Sequence, residues 1–123
     1  MKNQIIQLTE KGTRCTIIGV LSDIDVTTAR VLDGGLQDVA EAGRRAVVDL
    51  SECPYMDSSG ISVLIKHTRR LSEPLLVVAP EGSFARRVIE ITGVNRVVAL
   101  VDTLDAALVS CDAEASAVTA DKG

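Results

Sequence analysis

Apolar and polar residues follow two different periods along this 123-residue chain. Five short stretches are rich in β-branched and apolar residues, which is the pattern of strands. Four others carry apolar residues three and four positions apart, which is the spacing of amphipathic helices. We therefore predict strands at residues 3–8, 13–21, 46–50, 75–79 and 97–101, and helices that begin near residues 26, 58, 84 and 104.

The order of these elements, ββαβαβαβα, predicts one α/β domain. The first two strands are close enough in sequence to form an antiparallel hairpin, and strands separated by helices pair in parallel, so the sheet should be mixed but mostly parallel. Gly34 and Gly35 fall inside the first helix and indicate either a weak point or a close approach between helix and sheet. We expect the domain to span residues 1–111 and the small, polar residues 112–123 to form a flexible tail.

The third predicted helix has recognisable ends. Ser83 is a residue type that caps helix N-termini, and Gly93 is typical of a C-terminal cap. Between them, Phe84, Val88 and Ile91 recur at helical spacing. We predict that these three residues line one face of the helix.

Composition indicates a globular chain that is short of aromatic residues. Apolar residues make up 46% and charged residues 24%, yet Tyr55 and Phe84 are the only aromatic side chains. Seventeen acidic and thirteen basic residues give a net charge of -4 and a pI of about 4.9. Such a surface repels nucleic acid and anionic lipid, and two rings offer little for base stacking, so neither is an expected partner.

No stretch of the sequence predicts export or membrane insertion. The longest unbroken apolar runs, 75–79 and 97–101, are far shorter than the ~20 residues that span a bilayer. The first twelve residues lack the apolar core of a signal peptide, so we expect a cytoplasmic protein.

Cys15, Cys53 and Cys111 are too few and too scattered for a disulfide scaffold or a metal knuckle, and we predict three reduced thiols.

The residues of a conventional enzyme are missing. His67, the only histidine, falls within a helix and is predicted to be a surface residue rather than a general base. The sequence has no G-x-S-x-G nucleophile elbow, no G-x-x-x-x-G-K-[ST] phosphate loop and no G-x-G-x-x-G dinucleotide loop. Asp23 and Asp25 are a pair rather than a set of metal ligands. We therefore predict a protein that is not an enzyme and that holds neither a cofactor nor a metal.

The stretch C-P-Y-M-D-S-S-G, residues 53–60, is the candidate site. It follows a buried strand and opens a helix, and open α/β sheets place their ligand sites in such crevices. One interpretation is that Asp57 or Ser58 only caps the helix by accepting an N–H hydrogen bond. The other is that a serine here carries phosphate, since the helix N–H groups and dipole stabilise added negative charge.

Residues 55–61 resemble the D-S-[ST]-G signature of anti-sigma factor antagonists, within the wider STAS domain family. Two further stretches agree in order and spacing. Residues 22–29, SDIDVTTA, are similar to the family's G-E-L-D-x-x-T-A loop, with Ser22 in place of the glycine. Residues 87–94, RVIEITGV, are similar to its R-x-h-x-E-x-T-G helix end. The resemblance covers roughly residues 3–110, and three motifs in register make it fairly specific.

The resemblance implies a phosphorylation switch. In that family the first serine of the signature, here Ser58, is phosphorylated by a partner kinase that is also the anti-sigma factor. Asp57 and Ser59 flank it, Gly60 lets the partner approach the backbone closely, and the family's kinase-contacting loop aspartate corresponds to Asp25. The unphosphorylated protein then binds the kinase and frees a sigma factor for transcription, the phosphorylated protein releases the kinase, and a serine phosphatase resets the switch. We expect a monomer or a weak homodimer.

Other interpretations stay open at this point. The domain could be a STAS module of another assembly, such as a lipid-transport accessory subunit or a stress-sensing scaffold, or it could bind a small molecule such as a nucleotide near Ser58. Cys53 lies four residues before Asp57. Its oxidation, through a disulfide with Cys15, Cys111 or another chain, could disturb partner docking; the alternative is an inert buried thiol.

Overall fold

The computed structural model describes residues 4–112 and shows one sheet flanked by helices. The strands are β1 (Ile6–Lys11), β2 (Cys15–Val20), β3 (Arg45–Asp49), β4 (Leu76–Val78) and β5 (Ala99–Val101). The helices are α1 (Ala29–Glu41), α2 (Ser58–Thr68), α3 (Phe84–Thr92) and α4 (residues 104–112), and a short 3-10 helix spans Val94–Arg96.

The five strands lie side by side in the order in which they occur in the sequence. β1 pairs antiparallel with β2, with Ile6 opposite Val20, and the three remaining strand pairs are parallel. The predicted fold class, an α/β domain with a mixed, mostly parallel sheet and an N-terminal hairpin, is confirmed. Because right-handed crossovers that step across a sheet in one direction place their helices on one face, α1, α2 and α3 lie together.

Apolar side chains fill both faces of the sheet. The larger cluster lies under α1, α2 and α3, where Leu32 and Leu64 pack with strand residues such as Val48. The smaller cluster lies under α4, where Ala107 packs with Val47 and its neighbours. Val47 and Val48 are consecutive in β3 and face opposite clusters, as the alternation of a strand requires. Neither cluster contains an aromatic side chain.

Local contacts decide where α1 begins and how closely it approaches the sheet. The helix starts at Ala29 rather than near residue 26, because a turn comes first, in which the N–H of Ala29 donates to the carbonyl of Asp25 at 2.8 Å. A Cβ built on Gly35 would lie 2.6 Å from Cδ1 of Ile6 in β1. Of the two interpretations of the glycine pair, the close approach between helix and sheet is therefore confirmed.

The predicted caps of α3 are confirmed. The hydroxyl of Ser83 accepts a hydrogen bond from the N–H of Arg86 at 3.2 Å. Gly93 ends the helix with a left-handed φ of 80°, and its N–H donates to the carbonyl of Glu90. A residue with a side chain adopts that conformation only with strain, which explains the glycine.

Of the three residues predicted along one face of α3, Val88 alone packs against the core. Ala85 and Ile89 are fully buried, whereas Phe84 is 43% and Ile91 77% exposed. The buried residues Ala85 and Ile89 each follow directly after a predicted one, Phe84 or Val88. Apolar spacing alone therefore does not show which of the two faces lies on the sheet. The small side chain of Ala85 gives a weak apolar signal in the sequence, although it lets the helix lie close to the sheet.

Two predictions about single side chains are wrong. His67 is buried rather than at the surface, and its Nε2 lies 2.6 Å from Oδ1 of Asp33 in α1. Cys15 and Cys111 are not reduced thiols, because they form a disulfide that joins the start of β2 to α4. Among the described cysteines, Cys53 is free.

No helix within residues 4–112 is long and apolar enough to cross a membrane. The tail predicted for residues 112–123 is not described beyond its first residue, and residue 112 still belongs to α4. The domain boundary at residue 111 therefore stays a prediction.

Candidate functional site

Main-chain hydrogen bonds join two loops at the carboxyl ends of the parallel strands. Ile24, between β2 and α1, forms a parallel bridge with Met56, between β3 and α2. The N–H of Ile24 donates to the carbonyl of Tyr55 at 2.8 Å, and the N–H of Asp57 donates to the carbonyl of Ile24 at 3.1 Å. Because Ile24 and Met56 are buried, the bridge fixes the polar residues that follow each of them.

Asp57 is the N-cap of α2. Its backbone is extended, and its Oδ1 accepts a hydrogen bond from the N–H of Ser59 at 2.8 Å. Its carbonyl accepts from the N–H of Gly60 at 3.1 Å. These bonds satisfy N–H groups that the start of a helix leaves without a partner. Of the two residues considered as caps, Asp57 therefore performs that role, and Ser58 does not.

Ser58 is the first residue of α2, and its side chain is exposed. Within the described part of the chain its hydroxyl forms no hydrogen bond. The start of an α-helix stabilises negative charge by about 0.3–1 kcal/mol through its free N–H groups and its dipole. The site therefore offers an accessible nucleophilic oxygen at a position where an attached phosphate is compatible with the fold.

Asp25 folds the turn that leads into α1. Its Oδ1 accepts hydrogen bonds from the N–H groups of Thr27 and Thr28 at 2.9 and 3.0 Å, and its own N–H donates to Oγ1 of Thr28 at 2.9 Å. The bond from Thr28, followed by that from Thr27, lowers the pKa of the Asp25 carboxyl below its ordinary value. The carboxylate thus has a structural role in this turn, and its contact with a kinase stays a prediction.

Gly60 is buried, and the space beside it is occupied by this chain. A Cβ at this position would lie 2.6 Å from Cγ and 2.7 Å from Sδ of Met56, and 2.9 Å from Cγ2 of Ile24. The missing side chain lets the first turn of α2 pack directly on the bridge between the two loops. Gly60 therefore has a packing role within this chain, and its role in partner access stays a prediction.

Cys53 is a buried thiol beneath the same loop. It is 5% exposed, and its Sγ donates a hydrogen bond to the carbonyl of Tyr55 at 3.2 Å. Burial raises the pKa of the thiol, which reduces the thiolate that oxidation requires. The two proposed intramolecular partners, Cys15 and Cys111, are bonded to each other. These observations favour the inert thiol over the redox role.

Tyr55 and Phe84 form a stacked pair that the apolar spacing does not predict. Their ring centroids are 5.3 Å apart with an interplanar angle of 28°, and each side chain is 43% exposed. Tyr55 lies three residues before Ser58, and Phe84 opens α3 in the next loop along the sheet edge. No pattern in the sequence predicted that the two rings meet.

Carboxylates dominate the two loops that the bridge joins. Four of them lie there: Asp23, Asp25, Glu52 and Asp57. Within residues 4–112 none of these four forms an ion pair with a basic side chain. In the same part of the chain, no group of three or more His, Cys, Asp and Glu side chains could hold a metal ion.

A family model described as "Mlab, STAS domain" matches residues 8–109. The match includes the loops of Asp25 and Ser58 and nearly the whole sheet. The chain therefore belongs to the STAS domain family.

Two of the known proteins that resemble this chain are anti-sigma factor antagonists. The anti-sigma-F factor antagonist RsfB of Mycobacterium tuberculosis is 28% identical over 94 residues, which cover 75% of this chain and 77% of RsfB. The crystal structure of an anti-sigma factor antagonist from Mycobacterium paratuberculosis matches with a TM-score of 0.79 at 27% identity, over 87% of this chain and 92% of that chain. The resemblance inferred from the three sequence motifs is confirmed.

The fold is also that of the Bacillus cell fate determinant SpoIIAA. Its phosphorylated form matches with a TM-score of 0.59 at 18% identity, over 85% of this chain and 96% of that chain. At this identity the likeness extends to the fold alone.

Proposed function

We propose that this protein is an anti-sigma factor antagonist that works by partner switching. In its unphosphorylated form it binds a serine kinase that is also an anti-sigma factor, and this binding frees a sigma factor for transcription. Phosphorylation of Ser58 ends the binding, and a serine phosphatase restores it. The observation that carries the proposal is the exposed hydroxyl of Ser58 on the first turn of α2, beside the cap that Asp57 supplies.

The chemical step is a phosphoryl transfer from ATP to Ser58. The Oγ attacks the γ-phosphorus, the new O–P bond forms as the bond to the bridging oxygen of ADP breaks, and the hydroxyl proton passes to a base on the kinase. The phosphatase hydrolyses the O–P bond with water and releases inorganic phosphate. In this scheme the protein is a substrate rather than an enzyme, and its contribution is to hold Ser58 exposed at a fixed place.

The phosphate weakens binding because of where its charge falls. It adds about -1.5 to -2 charge beside Asp57, in a chain whose net charge is already -4. A kinase that transfers phosphate to Ser58 holds the nucleotide's own phosphates opposite this residue, so phosphoserine faces other anions. An uncompensated charge in a desolvated interface costs ~2–5 kcal/mol, or about 30-fold to several thousand-fold in affinity.

The proposed contact surface surrounds Ser58. It includes Asp57 and Ser59, which flank the acceptor, and Asp25, whose loop the Ile24–Met56 bridge holds beside them. The carboxylates of these loops disfavour nucleic acid and anionic membranes as direct partners. Because sigma factors act on RNA polymerase in the cytoplasm, we place the protein there.

Phosphorylation of single-residue variants tests this proposal. The purified protein is incubated with ATP and each kinase-type anti-sigma factor of the source genome, and its intact mass is measured. We expect one added phosphate on the wild type and on Ser59→Ala, and none on Ser58→Ala. Modification that persists in Ser58→Ala and disappears in Ser59→Ala moves the acceptor by one residue.

Two other results favour the alternatives. If none of these kinases binds or modifies the protein, a STAS module of another assembly becomes the better description. If the protein alone retains ATP or GTP in equilibrium dialysis, a nucleotide-binding role takes precedence.

A further inference from the structure

The only two aromatic residues of the chain lie together at its surface. Aromatic side chains bury more area than most others and usually dominate protein cores. Here the core is built without them, and Tyr55 and Phe84 each leave 43% of their surface in solvent. The packing of residues 4–112 therefore does not explain why both rings lie at the surface.

The main chain holds Tyr55 in its outward position. Cys53, two residues before it, and Met56, directly after it, are buried. The carbonyl of Tyr55 accepts hydrogen bonds from the N–H of Ile24 at 2.8 Å and from the thiol of Cys53 at 3.2 Å. The ring of Phe84 stacks on Tyr55 from the first turn of α3. The pair is ordered before a partner arrives, which reduces the entropy lost on binding.

The loops that carry the pair have the make-up of a protein interface. Val26, one residue after Asp25, adds an exposed apolar side chain, at 67%. Around these apolar groups the loops of Tyr55 and Val26 contribute the exposed carboxylates of Asp23 and Glu52, which form no ion pair within residues 4–112, whereas Glu81 near Phe84 pairs with Arg86 at 3.6 Å. An apolar centre with a polar rim is the usual anatomy of a protein–protein contact, and aromatic residues are enriched among its energetically dominant members.

We infer that Tyr55 and Phe84 form the apolar anchor that docks the kinase, against a pocket rimmed by arginine or lysine side chains. This inference rests on the proposed function, since it describes how the same partner is held. Three residues of extended chain span at most about 11 Å. A standard interface covers about 800 Å² per partner, which is a disc of about 16 Å radius. A kinase that reaches Ser58 therefore covers Tyr55 as well.

Charge decides between this occupant and two others. A second copy of the chain, docked by the same surface, would bring the carboxylates of both copies together, which is unfavourable. A nucleotide stacked on the rings would place its phosphates among the same carboxylates. A partner with basic side chains binds favourably to both the carboxylates and the aromatic pair, because arginine and lysine interact favourably with carboxylates and with aromatic faces.

The test compares the affinity of full-length variants for the purified kinase-type anti-sigma factor, measured without ATP. We expect Tyr55→Ala and Phe84→Ala each to weaken binding at least tenfold, and Tyr55→Phe to stay within about threefold of the wild type. Ile91→Ala is the matched control, because Ile91 is 77% exposed on the same helix as Phe84. With ATP present, Tyr55→Ala should raise the KM for the protein substrate and leave kcat near the wild-type value.

Each outcome bears on a different claim. If the wild type binds and is phosphorylated at Ser58, but both alanine variants bind as tightly, the anchor is wrong and the proposed function stands. If no kinase-type anti-sigma factor binds the wild type, the anchor and the proposed function are both wrong. If the variants lose self-association or nucleotide binding while their kinase affinity is unchanged, the occupant is different and the inference is overturned. Thermal unfolding of each variant identifies one that fails to fold, and the two substitutions lie on separate elements.

Discussion

Ile24 and Met56 pair through their main chains outside the five strands, and this single bridge joins the two loops of the site. Asp25 follows one residue of the pair, and Asp57 and Ser58 follow the other. Gly60 packs against both side chains of the pair. A change at the bridge therefore alters the relative position of Asp25 and Ser58, even though neither is substituted.

Gly60→Ala should destabilise the protein by about 1–3 kcal/mol, since the added methyl group overpacks the bridge. Its Cβ would lie 2.6 Å from Cγ of Met56 and 2.9 Å from Cγ2 of Ile24. Gly34→Ala is the control, because a Cβ on this helical glycine meets nothing within 4 Å. That substitution should stabilise α1 by about 0.5–1 kcal/mol. Urea unfolding of both variants measures the difference, and equal stability would contradict the packing role of Gly60.

Patterns that depend on neighbours in sequence were predictable. The spacing of apolar residues located all five strands and four helices, and the strand-to-helix junction located the candidate site at residues 53–60, within which the family resemblance singled out Ser58. What could not be predicted depends on contacts between distant segments. His67 is buried because Asp33 on another helix accepts its hydrogen bond, and Cys15 meets Cys111 because α4 returns across the start of β2.

Asp25→Ala should lower the thermal midpoint, because the N–H groups of Thr27 and Thr28 lose their acceptor. Asp25→Asn keeps an acceptor oxygen and should lower the thermal midpoint less than Asp25→Ala does. Asp23→Ala, at an exposed side chain in the same loop, should have little effect on stability.

The contribution of Asp25 should also depend on pH. Its pKa is lower in the folded protein than the ordinary value of 3.8, so protonation favours the unfolded chain. The stabilisation is present above the ordinary pKa and is lost as pH falls through the folded pKa. The difference in thermal midpoint between the wild type and Asp25→Ala should therefore become smaller as the pH is lowered. A difference that does not change with pH would contradict the role of the ionised carboxylate.

Asp33→Ala should destabilise the contact between α1 and α2 by about 1–3 kcal/mol, because it leaves the buried ring of His67 without its acceptor. Asp33 Oδ1 lies 2.6 Å from Nε2 of His67 and 3.0 Å from Nζ of Lys66. The hydrogen bond with His67 is the largest cause that lowers the pKa of Asp33. Asp33→Asn retains an acceptor oxygen and should lose less stability than Asp33→Ala.

The matched control for this pair is Lys66→Ala, which removes only the exposed partner of Asp33 and should cost no more than about 1 kcal/mol. Chemical unfolding at neutral pH compares the variants. If Lys66→Ala proves as costly as Asp33→Ala, the stabilisation comes from the surface ion pair rather than from the buried imidazole.

Reduction of the Cys15–Cys111 disulfide should lower the free energy of unfolding by about 4–5 kcal/mol, as the chain-entropy account gives for a loop of this length. The cysteines are separated by 96 positions in the sequence. Urea unfolding with and without reductant measures the effect, and Cys111→Ser should remove the sensitivity. Thiol labelling of the unfolded, unreduced protein should modify Cys53 alone; labelling at all three cysteines would contradict the disulfide.

Ser58→Asp should separate folding from binding. At the start of α2 a negative charge gains about 0.3–1 kcal/mol from the helix, and the exposed carboxylates nearby oppose it by a similar amount, so stability should change by less than about 1 kcal/mol. Affinity for the kinase should fall at least about 30-fold, because a charge in a desolvated interface costs ~2 kcal/mol or more. Ser72→Asp, an exposed position after α2, makes the same change in net charge away from the site and should bind like the wild type. If Ser58→Asp unfolds the domain, the charge acts through the fold and not at the interface. If both variants lose affinity equally, the charge acts through the electrostatic field of the whole protein.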